Sequence, residues 1–185
     1  PGAGFDPRGE VRQLGHERFY YDWAREGQSY PLIDRTFAWL EAHWPDEGET
    51  VLNWGDARVG NILYEDFAPI AVLDWEMATV GPREVDLAWM IFLHEFFHDM
   101  AVRFGLPGMT DFMRRDSVIA EYERLSGHEV RNPEWFEGFA ALRFAVVAIR
   151  TRQTGSPLGP EGAPHRPPPP RLLTTRPRAH PAGPH

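Results

Sequence analysis

Three oxygen-bearing side chains stand where a folded chain could gather them: Asp56, Asn61 and Asp74. Asp56 follows the short apolar pair Val51-Leu52, so it lies on a loop leaving a strand-like segment. Gly55 and Gly60 flank it and allow sharp backbone turns. A small number of hard oxygen ligands suits Mg²⁺, which keeps several waters and completes its shell from phosphates.

A hairpin must bring these residues together. Ile62-Leu63-Tyr64 is one apolar run, residues 65–69 form a turn, and residues 70–73 form a second apolar run. Antiparallel pairing across the short turn is the economical arrangement. Asn61 precedes the first strand and Asp74 follows the second, so the open end of the hairpin places them side by side. The glycine-flanked loop then carries Asp56 to the same end.

Around the hairpin the chain reads as helices. The pattern predicts helices over 10–26, over 31–43 opened by Pro31, and over 84–104. In the last of these, Val85, Ala88, Trp89, Phe92, Phe96 and Met100 form one apolar stripe that reads as core. Thr110 is placed to cap a helix ending at Ser126 before Gly127, and Asn132-Pro133 to open another running to Arg152. Trp135 and Phe136 either join the core or line a substrate pocket. Arg114-Arg115 reads as a solvated pair.

The fuller strings, V-L-N-W-G-D-A-R-V-G-N-I-L-Y, A-V-L-D-W-E-M-A-T-V-G and V-D-L-A-W, carry a resemblance. The D-x-x-x-x-N spacing followed by a second Asp resembles the protein-kinase catalytic loop and its metal-binding strand end. The strings together are similar to the aminoglycoside phosphotransferase family, in its branch related to the kinase-like domains associated with acyl-CoA dehydrogenases. The likeness spans about residues 15–150. It implies an α+β, mainly helical, protein-kinase-like C-lobe with a short β-hairpin carrying the metal ligands. It also implies ATP- and Mg²⁺-dependent phosphoryl transfer to a small-molecule hydroxyl. Asp56 would accept or orient the hydroxyl proton, Arg58 would stabilise phosphoryl charge, and Asn61 and Asp74 would bind Mg²⁺. Asp86 would hold the catalytic loop, with Glu76 in support. Many relatives have His where Trp54 stands, and an indole N–H cannot accept a hydrogen bond as imidazole can.

Only 55 residues precede Asp56, they read as helices, and the chain has no lysine. The phosphate-pairing lysine of a nucleotide-binding lobe is therefore not among them. The expectation is a C-lobe over 1–153 with its N-lobe absent, impaired as an enzyme, and exposing a face that a partner could cover. A non-catalytic, partner-binding fragment is the alternative.

A rival chemistry lies in His94-Glu95-Phe96-Phe97-His98, which matches H-E-x-x-H. On a helix the two His share a face and Glu95 could act as a base beside zinc. Glu121 or Glu123 could supply a third ligand. Ala101 and Phe104 stand where the extended metalloprotease motif has Gly and His.

Composition narrows the classes further. Net charge is −8, with −11 over residues 1–153 and +3 over 154–185. An acidic body argues against nucleic acid as partner. There is no cysteine, no apolar run long enough for a membrane helix, and no leader-like start, so a cytoplasmic location is expected. Residues 154–185 hold ten of the 18 prolines and are expected to be a disordered tail.

Overall fold

Two helices come first in the chain. The computed structural model describes residues 9–45 and 49–153; the proline-rich tail assigned to 154–185 lies outside them. Helix α1 spans Gly9–Ala24 and α2 spans Pro31–Ala42, with Pro31 in the first turn, where its missing N–H is not needed. Tyr21 Oη donates to Asp34 Oδ1 at 3.0 Å and ties the two helices together. Leu14, Tyr21 and Ala24 of α1 and Ile33, Phe37 and Leu40 of α2 are buried.

Among the described residues four short strands follow, in two separate antiparallel sheets. β1 (Thr50–Asn53) pairs with β4 (Thr79–Pro82), and β2 (Ile62–Glu65) pairs with β3 (Ala68–Val72). The β2–β3 hairpin is the one expected from the sequence. Its turn is tighter than the five residues expected: only Asp66 and Phe67 lie between the strands, at φ +46° and +64°. Positive φ at both central residues matches the right-handed twist of the strands they join. Pro69 lies within β3 opposite Tyr64, beside an irregularity in register. β4 is an addition to the sequence reading, because Gly81 and Pro82 obscure it.

Three helices complete the body: α3 (Glu84–Arg103), α4 (Arg115–Ser126) and α5 (Pro133–Gln153). Glu84 and Asp86 occupy the first turn of α3 and Arg103 its last, both favourable to the helix dipole. Burial on α3 is broader than one stripe: Leu87, Ile91 and Leu93 are buried with Val85, Ala88 and Trp89, whereas Phe92 and Phe96 are half-buried. Thr110 does not cap α4, which starts at Arg115. Met113 at φ +52° interrupts the backbone before it. Gly127, at φ +71°, ends α4 as expected.

Helix α5 is the central element and packs against α1, α2 and α3. Trp135, Phe136, Phe139, Leu142 and Val146 lie in one core cluster with the buried faces of α1 and α2. Trp135 and Phe136 are thus core residues, and the Trp135 indole donates to Leu40 O at 3.0 Å. A second cluster gathers Trp54, Ala57, Trp89, Leu93 and Ala140 beneath the loop that carries Asp56. Among the described residues no helix is long and apolar enough to cross a membrane.

Candidate active site

The loop after β1 is held by its backbone before any side chain acts. Gly55 lies at φ +91°, and a Cβ there would stand 2.1 Å from Met77 O, so only glycine fits. Asp86, in the first turn of α3, accepts from Trp54 N at 2.6 Å and from Gly55 N at 2.8 Å. From α5, buried Arg143 donates Nη2–H to Gly55 O at 3.3 Å. Two helices therefore fix the backbone just ahead of Asp56.

The Asp56 carboxylate, with its side chain 16% exposed, accepts from three directions. Oδ2 takes Asn61 Nδ2–H at 2.7 Å and Arg58 Nε–H at 3.0 Å. Oδ1 takes the Trp89 indole N–H at 2.9 Å. Such bonds to an ionised acceptor are stronger than neutral ones and set its orientation. Asn61 closes a single 3-10 turn, Val59–Asn61, which lets its side chain reach back to Asp56. Its Nδ2 also lies 3.2 Å from Asp56 O, and the residue is only 6% exposed. Its Oδ1 accepts no hydrogen bond from the described residues and is open to a ligand.

Asp74 enters through the hairpin. Leu73 N donates to Asn61 O at 2.8 Å, one residue beyond the Ile62–Val72 pair. The open end thus brings the backbones of Asn61 and Leu73 together, with Asp74 next. Asp74 lies at φ +62°, a left-handed conformation that Asp tolerates better than most residues. Trp54 holds this end: its indole N–H lies 2.7 Å from Leu73 O and 3.2 Å from Asp74 O. Trp54 thus donates to the hairpin end, a task for which no acceptor nitrogen is needed. The carboxylates of Asp74 and Glu76 are exposed and take no hydrogen bond from the described residues.

The structure thus joins Asp56, Arg58 and Asn61 in one bonded group, clamps their loop through Asp86, and sets Asp74 beside them by backbone pairing. It ties Glu76 to none of them. Sequence reasoning missed Trp89 and Arg143 as parts of this group. One signal pointed to Trp89: it stands three residues after Asp86, on the same side of a helix as the residue that grips the loop.

The His-Glu motif lies elsewhere. His94, Glu95, His98 and Asp99 line a cavity of about 400 Å³ with Met109–Thr110 and Phe112–Asp116. His98 Nδ1 accepts the Met109 N–H at 2.9 Å. A metal on Nε2 would require a proton on Nδ1, directly opposing that donor. Glu121 is bonded to Arg124 at 2.6 and 2.7 Å, and Glu123 accepts from Val130 N at 2.9 Å. Among the described residues no three His, Asp or Glu are grouped to hold a metal. The zinc hydrolase expectation is corrected on these grounds. Arg114 is exposed as expected, whereas Arg115 is only part-exposed and is paired. It bonds Glu137 at 2.6 Å and Glu134 at 3.2 Å, and the Glu137 bond raises its pKa. The Glu137 pKa is raised as well, because burial outweighs the opposing pull of Arg115.

Comparison with known proteins identifies the family. Residues 4–115 match the model of the phosphotransferase enzyme family, and the chain belongs to that family. Among its relatives, mouse acyl-CoA dehydrogenase family member 11 is 31% identical over 127 residues, 65% of this chain and 16% of that protein. Mouse acyl-CoA dehydrogenase family member 10 is 31% identical over 103 residues, 49% of this chain and 10% of the relative. The fold is similar to that of a Ralstonia eutropha protein solved as an aminoglycoside phosphotransferase, with TM-score 0.66 and 22% identity. That likeness covers 85% of this chain and 50% of the other. The chain spans half of that structure and about a sixth or less of these two relatives.

Proposed function

We propose that this chain carries the acceptor-activating and metal-binding part of an ATP-dependent phosphotransferase acting on a hydroxyl of a small molecule. The observation that carries the reading is the Asp56 carboxylate, fixed by Asn61, Arg58 and Trp89 beside a hairpin end whose exposed Asp74 carboxylate takes no hydrogen bond from the described residues. Asp56 accepts the proton of the acceptor hydroxyl as its oxygen bonds to the γ-phosphorus and the bond to ADP breaks. The free Oδ1 of Asn61 and the free carboxylate of Asp74 are the hard oxygen donors that Mg²⁺ takes, and they would hold it. When bound, the ion neutralises phosphate charge. Arg58 holds a positive charge at Asp56 Oδ2, close to where the phosphoryl group must approach.

A nucleotide-binding lobe or partner would add to the ATP capture that the metal site of this chain begins. The hairpin and the residues after it offer it exposed apolar side chains: Leu63, Ile70, Leu73 and Trp75 are each about half exposed. A melting-temperature titration with Mg·ATP tests the reading. The chain should gain stability at millimolar Mg·ATP, and Asp74→Asn should lose most of that gain. No shift in the parent chain would overturn independent nucleotide binding. Phosphate transfer only after adding a nucleotide-binding lobe would locate the missing function in that partner.

A further inference from the structure

We infer that Trp89 is a positioning residue for Asp56, held in place by Arg143. The inference rests on the phosphotransferase reading for its purpose, but its geometry stands alone.

Trp89 is 6% exposed, and its indole N–H points at Asp56 Oδ1 from 2.9 Å. A buried indole N–H needs an acceptor, and among the described residues this one makes the only hydrogen bond to that oxygen. The consequence is a division of labour. Oδ1 is committed to Trp89, while Oδ2 is shared by Asn61 and Arg58. Rotation of the carboxylate would break contacts at both oxygens. The base therefore presents one edge to an incoming hydroxyl without reorganising when the substrate arrives.

Arg143 extends the device into the core. Its guanidinium stacks on the Trp89 ring, 4.6 Å from the centroid, and donates to Gly55 O. Glu17 of α1 lies 3.7 Å from Arg143 Nε, with both side chains largely buried. A cation over the indole face is attracted by the ring and draws electron density from it, which makes the N–H a better donor. One arginine thus orients the residue before the base through its backbone and the base itself through an indole. An apolar core residue would fill the same volume at position 89. Only tryptophan fills it and also supplies a donor at its edge.

The test uses indole N–H spectra of the whole chain together with turnover. Trp89→Phe identifies the Trp89 resonance by its loss. That resonance should lie downfield and should move upfield in Asp56→Asn, where the acceptor loses its charge, while the other core indole resonances stay put. In the presence of Mg·ATP and an accepted hydroxyl compound, Trp89→Phe should lower kcat about tenfold to a hundredfold with KM unchanged. Retention of the melting temperature within a few degrees separates this loss from unfolding. A Trp89 resonance indifferent to Asp56→Asn, or a Trp89→Phe chain with unchanged kcat, overturns the inference. Absence of turnover in the parent chain with the spectral response intact overturns the phosphotransferase reading of this chain alone and supports the bond.

Discussion

Replacing Asp86 by alanine removes one carboxylate and strands two backbone donors, Trp54 N and Gly55 N, which it now holds at 2.6 and 2.8 Å. A hydrogen bond to a charged group contributes about 1.5–3 kcal/mol net, and orphaned donors add a desolvation cost. Asp86 is only partly buried, so water recovers some of both terms. The two bonds also share one carboxylate and are not independent. The combined loss should be about 2–4 kcal/mol. With a urea m-value of about 2 kcal/mol/M for a body of this size, the unfolding midpoint should fall by about 1–2 M. Asp86→Asn keeps one acceptor oxygen and should lose roughly half as much. Hydrogen exchange places the effect: the Trp54 and Gly55 amides should exchange at least about tenfold faster, even where the α1–α5 core stays protected. An Asp86→Ala chain with an unchanged midpoint and unchanged exchange at these amides would refute the clamp.

Three further predictions rest on single features. Gly55→Ala places a methyl against Met77 O in a backbone conformation hostile to alanine, and should cost at least about 2 kcal/mol, read by urea unfolding. Phe67→Gly should do the opposite: Phe67 is fully exposed at φ +64°, so glycine loses no packing and relieves strain, raising stability by about 1 kcal/mol in the same assay. Glu137 carries a pH effect. Its folded-state pKa lies above the ordinary 4.5, chiefly through burial, so the folded chain holds the proton more tightly than the unfolded one. Its contribution to stability is full below the ordinary value and is lost as pH rises through the raised one. Glu137→Gln should flatten that decline in urea midpoints measured from about pH 4 to 7, and parallel profiles would contradict the assignment.

The parts of the site legible in the sequence are those governed by local rules. Two apolar runs around a turn gave the hairpin, and the hairpin alone dictates that Asn61 and Asp74 share an end. Helix starts at Pro31 and Pro133 and the stop at Gly127 follow from what proline and glycine permit. What escaped is non-local. β4 pairs with β1 across 25 intervening residues, and its Gly81-Pro82 reads as a breaker until β1 is beside it. Thr110 is a good cap by type, but the segment before α4 is drawn onto α3 by the His98–Met109 bond, and no helix begins there. Trp89 was assigned to the core by periodicity, which is correct for its rings. Periodicity reports which face is buried; it carries no information on what the edge of a buried indole will meet.

The central claim is that Asn61 and Asp74 hold a divalent ion beside Asp56, and Mn²⁺ tests it most directly by broadening nearby NMR signals. Substoichiometric Mn²⁺ with ATP should broaden the side-chain amide of Asn61 and the backbone amides from Leu73 to Trp75, leave the His94–Asp99 cavity sharp, and lose this pattern in Asp74→Asn. Broadening centred on His94 and His98, or a pattern unchanged by Asp74→Asn, would contradict the account.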